Sequence, residues 1–340
     1  MIQTDLPKLL LEWYDKHGRE LPWRIKGGAH PNAYVILVSE FMLQQTGVKT
    51  VIPYFHRFME RFPTVKDLAE APEEEVYLYW QGLGYYSRAR SLHATAKMIV
   101  NEFGGKFPQD KENVLKLKGI GEYTVASFLA LAFNQPETVI DGNVIRVICR
   151  MYGLTEPVPE IMDTIREKAR KLTDKHNPAD YASAIMDLGA MVCTPKKPQC
   201  LLCPWREHCR SKDNPELESI PIRTKLPKKY REGKVYLIQN DKGEIFIRKR
   251  NEKGLLSGLY EFPWSDEREL FAEYKPQNTE LEVSHVFTHF KLTLKIHKVK
   301  SNVVDFDGQF AALSSLEKYA FSTLMKKVYE KAYRNKILDI

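Results

Sequence analysis

Four of the chain's five cysteines, Cys193, Cys200, Cys203 and Cys209, fall within seventeen positions in the stretch MVCTPKKPQCLLCPWREHCR. In a reducing compartment, clustered cysteines are more often metal ligands than disulfides. The spacing, C-x6-C-x2-C-x5-C, contains a single C-x2-C knuckle, whereas structural zinc sites usually pair two knuckles across a longer insert. Four thiolates from one compact segment suit a cubane [4Fe-4S] cluster, whose corners take ligands from several directions. Zinc is the alternative that spacing alone leaves open. The fifth cysteine, Cys149 in VIRVICRMYG, follows an apolar helical pattern and reads as a small buried hydrophobe. Lys196, Lys197, Arg206 and Arg210 surround the thiols; they suit charge neutralisation and equally a contact to phosphate. Nothing in the pattern calls for redox chemistry, so the cluster is expected to be structural.

A loop of this kind needs a folded frame, and 340 residues suffice for two domains. Residues 1–212 carry helical periodicity: SRARSLHATAKMIVNEFGG puts Leu92, Ala96, Ile99 and Phe103 on one face and stops at Gly104 and Gly105, and EIMDTIREKARKLTD repeats the pattern. Residues 213–234 read as an interdomain linker, basic and proline-punctuated in PIRTKLPKKYREGK. From Val235 the grammar changes to strands, with Leu292, Leu294 and Ile296 alternating with polar neighbours, and a helix closes the chain. A mixed α/β domain over 235–340 follows. No run approaches the ~20 apolar residues of a membrane span, and the N-terminal stretch MIQTDLPKLLLEWYDK has acids and no apolar leader; the expectation is a cytoplasmic protein. The net charge of +7 suits a polyanionic partner without requiring one.

The stretch VLKLKGIGEYTVASFLALAF joins two apolar helical runs through Lys118, Gly119, Ile120 and Gly121. Glycines here let the backbone turn and bring N–H groups close to an anion at a helix N-terminus. By itself such a turn is an ordinary helix corner more often than a phosphate grip. About twenty residues on, TVIDGNVIRV places Asp141 where a helix N-cap would sit. Glu40 lies in the apolar run VILVSEFML; burial there raises a carboxyl's pKa, which fits a general acid.

These pieces together resemble the endonuclease III-like superfamily of DNA glycosylases, and within it the adenine DNA glycosylase (MutY) family. The resembling stretches are LPWR at 21–24, SEFMLQQTGVKTVIPYF at 39–55, QGLGYYSRARSLH at 81–93, the hairpin, DGNVIRV at 141–147 and MDLGAMVCTPKKPQC at 186–200. GLLSGLYEFP at 254–263 and HVFTHFKL at 285–292 resemble that family's Nudix-like C-terminal domain. The fold implied is an all-α helix-hairpin-helix glycosylase domain with a [4Fe-4S] loop, followed by an α/β Nudix-like domain. The activity implied is excision of adenine mispaired with 8-oxoguanine or guanine in double-stranded DNA, by a nucleoid-associated monomer.

The resemblance implies Glu40 as the acid, Asp141 as the carboxylate beneath the sugar and Asn143 as its support. Such a pair meets the need of an N-glycosidic bond whose breakage makes a poor leaving group and a cationic sugar. Tyr123 stands where strand-cutting relatives carry a lysine, and a tyrosine forms no Schiff base, so a monofunctional enzyme is implied. Gln45 and Tyr85 match residues that fill the gap left by a flipped nucleotide. Arg24, Arg88, Lys118, Gly119 and Gly121 are assigned to DNA contact. Phe287, Thr288 and His289 match a Phe-Ser-His loop that recognises 8-oxoguanine, Thr288 keeping the hydroxyl with one added methyl. The four cysteines are the cluster ligands. RELFAEYK at 268–275 keeps only a fragment of the glutamate cluster that holds Mg²⁺ in a hydrolysing Nudix helix, with Ala272 and Lys275 where a glutamate and a glycine would be needed, so a reader and not a hydrolase is expected. Two departures are Ile145, where some members carry a basic residue, and RIKGGAHPNAY at 24–34, where the family has a shorter Asp-Pro-Tyr connection.

Overall fold

Residues 5–25, 31–222, 227–252, 254–266 and 270–338 are described in the computed structural model. Eleven helices occupy the described part before residue 190: α1 (Leu6–His17), α2 (Ala33–Leu43), α3 (Val48–Arg61), α4 (Val65–Glu70), α5 (Glu73–Trp80), α6 (Ser87–Phe103), α7 (Lys111–Lys116), α8 (Glu122–Phe133), α9 (Gly142–Tyr152), α10 (Met162–Leu172) and α11 (Pro178–Asp187). Side chains at their starts fix several boundaries. The Asp5 carboxylate accepts from the Lys8 N–H at 3.1 Å, and the Asn32 Oδ1 from the Tyr34 N–H at 2.8 Å. At its other end α6 stops where expected: Gly104 and Gly105 take φ of 60° and 79°, and Gly105 N–H reaches back to the Ile99 carbonyl at 2.9 Å.

By contacts the chain divides into two compact units, residues 1–69 with 94–225 and residues 70–93 with 226–340. In the first, α2 and α8 are buried on nearly every side, α2 from Tyr34 through Met42 apart from Val35 and α8 from Thr124 through Ala132. A helix apolar all round belongs inside, and these two pack on each other. A second core joins Leu10 of α1, Val147, Ile148 and Cys149 of α9, Ile165 of α10, Ile185 of α11 and Trp205. Cys149 is fully buried there, as its apolar setting implied.

The second unit is built on strands β1 (Lys229–Gln239), β2 (Ile245–Lys249), β3 (Tyr260–Glu261), β4 (Trp264–Ser265), β5 (Gln277–Val286), β6 (Phe290–Lys300) and β7 (Gln309–Ala311), with helix α12 (Thr323–Arg334). The order is β3-β2-β1-β6-β5, with β1 and β6 parallel and the other pairs antiparallel. Val235, Leu237, Leu292, Leu294 and Ile296 face Leu324, Met325 and Val328 of α12; Tyr236, Ile238, Phe246 and Val299 form the other face's cluster with Phe271. Strand β1 starts at Lys229, six residues before the apolar alternation begins: its first residues are exposed and paired through the backbone to β6.

The segment 70–93 belongs to this unit through specific bonds. Lys249 pairs with Glu74. The Gln81 amide and the Tyr86 hydroxyl both donate to the Phe321 carbonyl, at 3.1 and 3.3 Å, and Arg90 donates to the Ser257 carbonyl at 2.8 Å. Gly258, at φ 82°, is required by this packing: a Cβ there would lie 2.9 Å from the Tyr77 ring. Of the RELFAEYK stretch, Arg268 and Glu269 lie outside the described residues, and Ala272–Tyr274 form one short 3₁₀ turn.

Candidate active site

Glu40 projects from α2 and is 5% exposed. It lines a cavity of about 520 Å³ with Arg19, Trp23, Arg24, Lys49, Tyr123, Asp141, Asn143 and Met186. Burial pushes its carboxyl up to about 7; the nearby Ser127 hydroxyl opposes the rise, the charge of Asp141 adds to it, and Arg24 opposes it. Tyr123, the second residue of α8, is held well above its ordinary value, first by burial and then by the Glu40 and Asp141 charges, so it stays a neutral phenol.

Asp141 is the N-cap of α9, the position its sequence context indicated. Its Oδ1 accepts from the backbone N–H groups of Asn143 and Val144 at 2.8 and 2.7 Å, and its Oδ2 accepts from the Asn143 amide at 2.8 Å. The carboxylate is thus fixed in one orientation at the positive end of a helix dipole. Asn143 is held in turn: Arg146 Nη2 donates to its Oδ1 at 2.9 Å. The same guanidinium reaches the carbonyls of Gly189 at 2.6 Å and Cys193 at 2.7 Å. The carboxylate and the cysteine loop are therefore two ends of one hydrogen-bonded chain.

Two arginines of the cavity lining converge on Asp187, which is fully buried. Arg19 donates through its backbone N–H and Nη2 at 2.8 and 2.6 Å, and Arg24 Nη1 lies 2.9 Å from both carboxylate oxygens. Arg24, assigned from resemblance to DNA contact, is thus committed to a buried ion pair.

The hairpin is formed by α7, the turn and α8. Gly119 takes φ 75°, the Lys118 carbonyl accepts from the Thr95 hydroxyl at 2.9 Å, and the Gly121 N-cap makes no side-chain cap bond. The first-turn N–H groups of α8 consequently have no partner within the helix. Gln45 is exposed in the turn after α2 at φ 57°, an uncommon conformation for a residue with a Cβ.

Cys193, Cys200, Cys203 and Cys209 are unpaired and half-buried, the last three set around two 3₁₀ turns. Among the described residues, no group of three or more His, Cys, Asp or Glu is arranged for a single metal ion. The thiols nonetheless act on one another: Cys203 is pushed up to about 12 chiefly by burial, with charges at the other three adding to the rise. Four part-buried thiols that act on one another fit a multi-iron cluster, whose iron keeps its ligands as thiolates. Arg150 Nη1 lies 3.5 Å from the Cys193 sulfur and supplies a counter-charge. These four side chains would hold the cluster, on the loop that carries Lys196 and Lys197.

In the second unit Tyr85 takes φ 48° and is 45% exposed. Its hydroxyl accepts from the Thr288 hydroxyl at 3.3 Å. Both residues line a cavity of about 320 Å³ with Arg90, Leu256, His285, Phe287 and His289. Arg88, also assigned to DNA, is buried: it donates to the Leu83 and Gly84 carbonyls at 3.3 and 3.1 Å and stacks over the Trp80 and Tyr85 rings. It braces the Tyr85 loop.

Ser127, Arg146 and Asp187 belong to the site and were not singled out in the sequence. The first is one more small residue in an apolar helix; the others stand in DGNVIRV and MDLGAMVC, whose flanks drew the attention.

Comparison with known proteins shows the family. Residues 38–172 match the family model of HhH-GPD superfamily base excision DNA repair proteins, 193–209 the iron-sulfur binding domain of endonuclease III, and 234–331 the NUDIX domain. Adenine DNA glycosylase of Rattus norvegicus is 34% identical over 96% of this chain and 77% of its own length. That of Buchnera aphidicola subsp. Baizongia pistaciae is 34% identical, covering 85% of this chain and 84% of its own. Among solved structures, a thermostable thymine-DNA glycosylase is 27% identical with a TM-score of 0.54, covering 61% of this chain and 94% of that one. A non-covalent endonuclease III–DNA complex shares the fold, at 23% identity, a TM-score of 0.50, and 60% and 94% coverage. The chain belongs to the adenine DNA glycosylase family of helix-hairpin-helix base excision repair enzymes, hydrolases of N-glycosidic bonds in DNA, with a [4Fe-4S] loop and a Nudix-like C-terminal domain.

Proposed function

We propose that this enzyme excises adenine mispaired with 8-oxoguanine, and with guanine, leaving an abasic site and an uncut strand. One observation carries the reading: an acid that stays protonated to about pH 7 and a carboxylate capped by a helix N-terminus line a single cavity. Glu40 gives its proton to the departing base. Asp141, braced by Asn143, stabilises the cationic sugar, and Tyr123 closes the pocket as a neutral phenol. No amine stands at Tyr123 to open the sugar, so the strand survives until alkali is added.

Residues 1–212 are the excision domain in this reading, 213–234 the linker and 235–340 the reader, with segment 70–93 joined to the reader by its contacts. Lys118, Gly119 and Gly121 present backbone N–H groups to a phosphate. Gln45 and Tyr85 fill the gap left by the flipped nucleotide in this reading. Phe287, Thr288 and His289 read the opposite base. Arg24 and Arg88 serve through the residues they hold. A monomer in the cytoplasm, on nucleoid DNA, completes the proposal.

The test is single-turnover adenine release from duplexes with adenine opposite 8-oxoguanine or guanine, scored for breaks before and after alkali. Faster release from the 8-oxoguanine pair, with breaks only after alkali, is expected. Strand breaks without alkali, or no adenine release by cluster-loaded protein, would overturn it.

A further inference from the structure

Ser127 lies one turn beyond Tyr123 on α8, and residues four apart share a helix face. Helix α8 packs on α2, which carries Glu40. Ser127 is 0% exposed, and its hydroxyl oxygen has no well-aligned hydrogen-bond partner. Buried serines in helices usually bond back to the carbonyl of the preceding turn; this one does not. Its neighbours Val125, Ala126 and Phe128 are apolar, so a methyl group would satisfy the packing. The hydroxyl nevertheless stands close enough to act as a donor toward two groups, Glu40 and Tyr123. A loosely aligned donor beside a catalytic carboxyl is the geometry expected before substrate draws the site together.

We infer that Ser127 is a positioning residue for the acid: its hydroxyl turns to the Glu40 carboxyl and donates to the carboxylate that remains once the proton has gone to the base. This rests on the reading of Glu40 as the acid. The step balances: the Glu40 proton moves to the base, the electron pair of the glycosidic bond leaves with the base, and Ser127 keeps its own proton throughout. The charged and titratable groups facing Glu40 are Arg24 from the stretch before α2, Lys49 from α3, Tyr123 from α8 and Asp141 at the start of α9, with Arg19 and Asp187 behind Arg24. Ser127 alone among the groups acting on Glu40 is an uncharged donor with no proton to lose in this range, so replacing it changes no charge.

The experiment compares wild type, Ser127→Ala and Glu40→Gln as cluster-loaded protein on duplex DNA. It reads the single-turnover excision rate and the thermal midpoint across pH. Loss of the donor leaves the Glu40 carboxylate less stabilised. In Ser127→Ala the alkaline fall in rate therefore moves up by about half to one pH unit, the low-pH plateau drops roughly fivefold, and the pH at which the loss of stability levels off moves up with it, its onset unchanged. If Glu40→Gln still excises adenine at the wild-type rate, the acid reading itself fails. If Glu40→Gln is inactive while both midpoints of Ser127→Ala stay at the wild-type pH, the inference about Ser127 fails alone.

Discussion

Gly189 and Asn143 approach so closely that a Cβ on Gly189 would lie 2.6 Å from the Asn143 Cβ. Gly189 sits in a π-helical turn, Leu188–Val192, that leads from α11 into Cys193. Such turns are rare and concentrate at functional sites. Here the turn brings the Gly189 carbonyl to Arg146, which also holds Asn143 and the Cys193 carbonyl. The glycine is what permits the cysteine loop to close against the group that braces Asp141.

Gly189→Ala is therefore expected to displace Asn143 and slow excision more than it harms folding. The added methyl costs about 1–3 kcal/mol of stability by overpacking. A misplaced carboxylate of even ~1 Å lowers the rate by up to ~100-fold. Thermal unfolding, cluster absorbance near ~400 nm and single-turnover rates measured together separate the two effects; an unaltered rate would show that the close approach has no catalytic consequence.

Glu40 gives the stability of the fold a pH dependence. Its carboxyl titrates near 7 in the folded chain against an ordinary value of 4.5, so the folded state holds the proton more tightly than the unfolded one. As pH rises from about 4.5 to 7 the unfolded chain ionises first and stability falls, by on the order of 3 kcal/mol, then levels above 7. Glu40→Gln removes this loss. The variant should match wild type at pH 4.5 and melt several degrees higher at pH 8, while losing excision. Equal pH dependence of the two melting temperatures would mean that the acid is not buried as described.

The boundaries of α6 and α9, the apolar face of β6 and the burial of Cys149 were legible because each follows from local rules: a glycine stop, an Asp N-cap, period-two alternation and an apolar setting. Glu40 and Asp141 were legible because acids between apolar residues are conspicuous, and the structure lines one cavity with both. The arginines were not. A sequence shows the charge of Arg24 and Arg88 but not that a buried carboxylate 163 positions away, or the carbonyls of a loop, take that charge inside. The attachment of segment 70–93 to the C-terminal sheet was hidden for the same reason. Its bonds to Ser257 and Phe321 are made to backbone carbonyls, which carry no residue signature.

Asp187→Asn tests the arginine clamp. It leaves two guanidiniums sharing one neutral partner in a buried setting, and breaking such a pair costs about 3–5 kcal/mol. Arg24, less neutralised, acts more strongly on Glu40 and favours its ionised form. The alkaline fall in excision rate then moves to lower pH, the direction opposite to that expected for Ser127→Ala. A melting temperature within a degree or two of wild type would show that the clamp is dispensable.

Thr288 is the test of the reader, given the proposed role of the 287–289 loop. Its hydroxyl donates to Tyr85 at 3.3 Å, a long bond in an open cavity, and so is free to exchange that partner for an acceptor on the opposite base at little expense. A neutral hydrogen bond contributes about 1 kcal/mol net, or roughly fivefold in rate. Thr288→Val keeps the shape and removes the hydroxyl; the ratio of excision rates opposite 8-oxoguanine and guanine should fall by about that factor. Thr288→Ser keeps the hydroxyl and should hold the ratio. Tyr85→Phe removes only the present partner, so under this scheme it leaves the ratio intact while the Thr288 hydroxyl remains. A ratio that falls in Tyr85→Phe as far as in Thr288→Val would assign discrimination to the pair of hydroxyls and not to Thr288 itself.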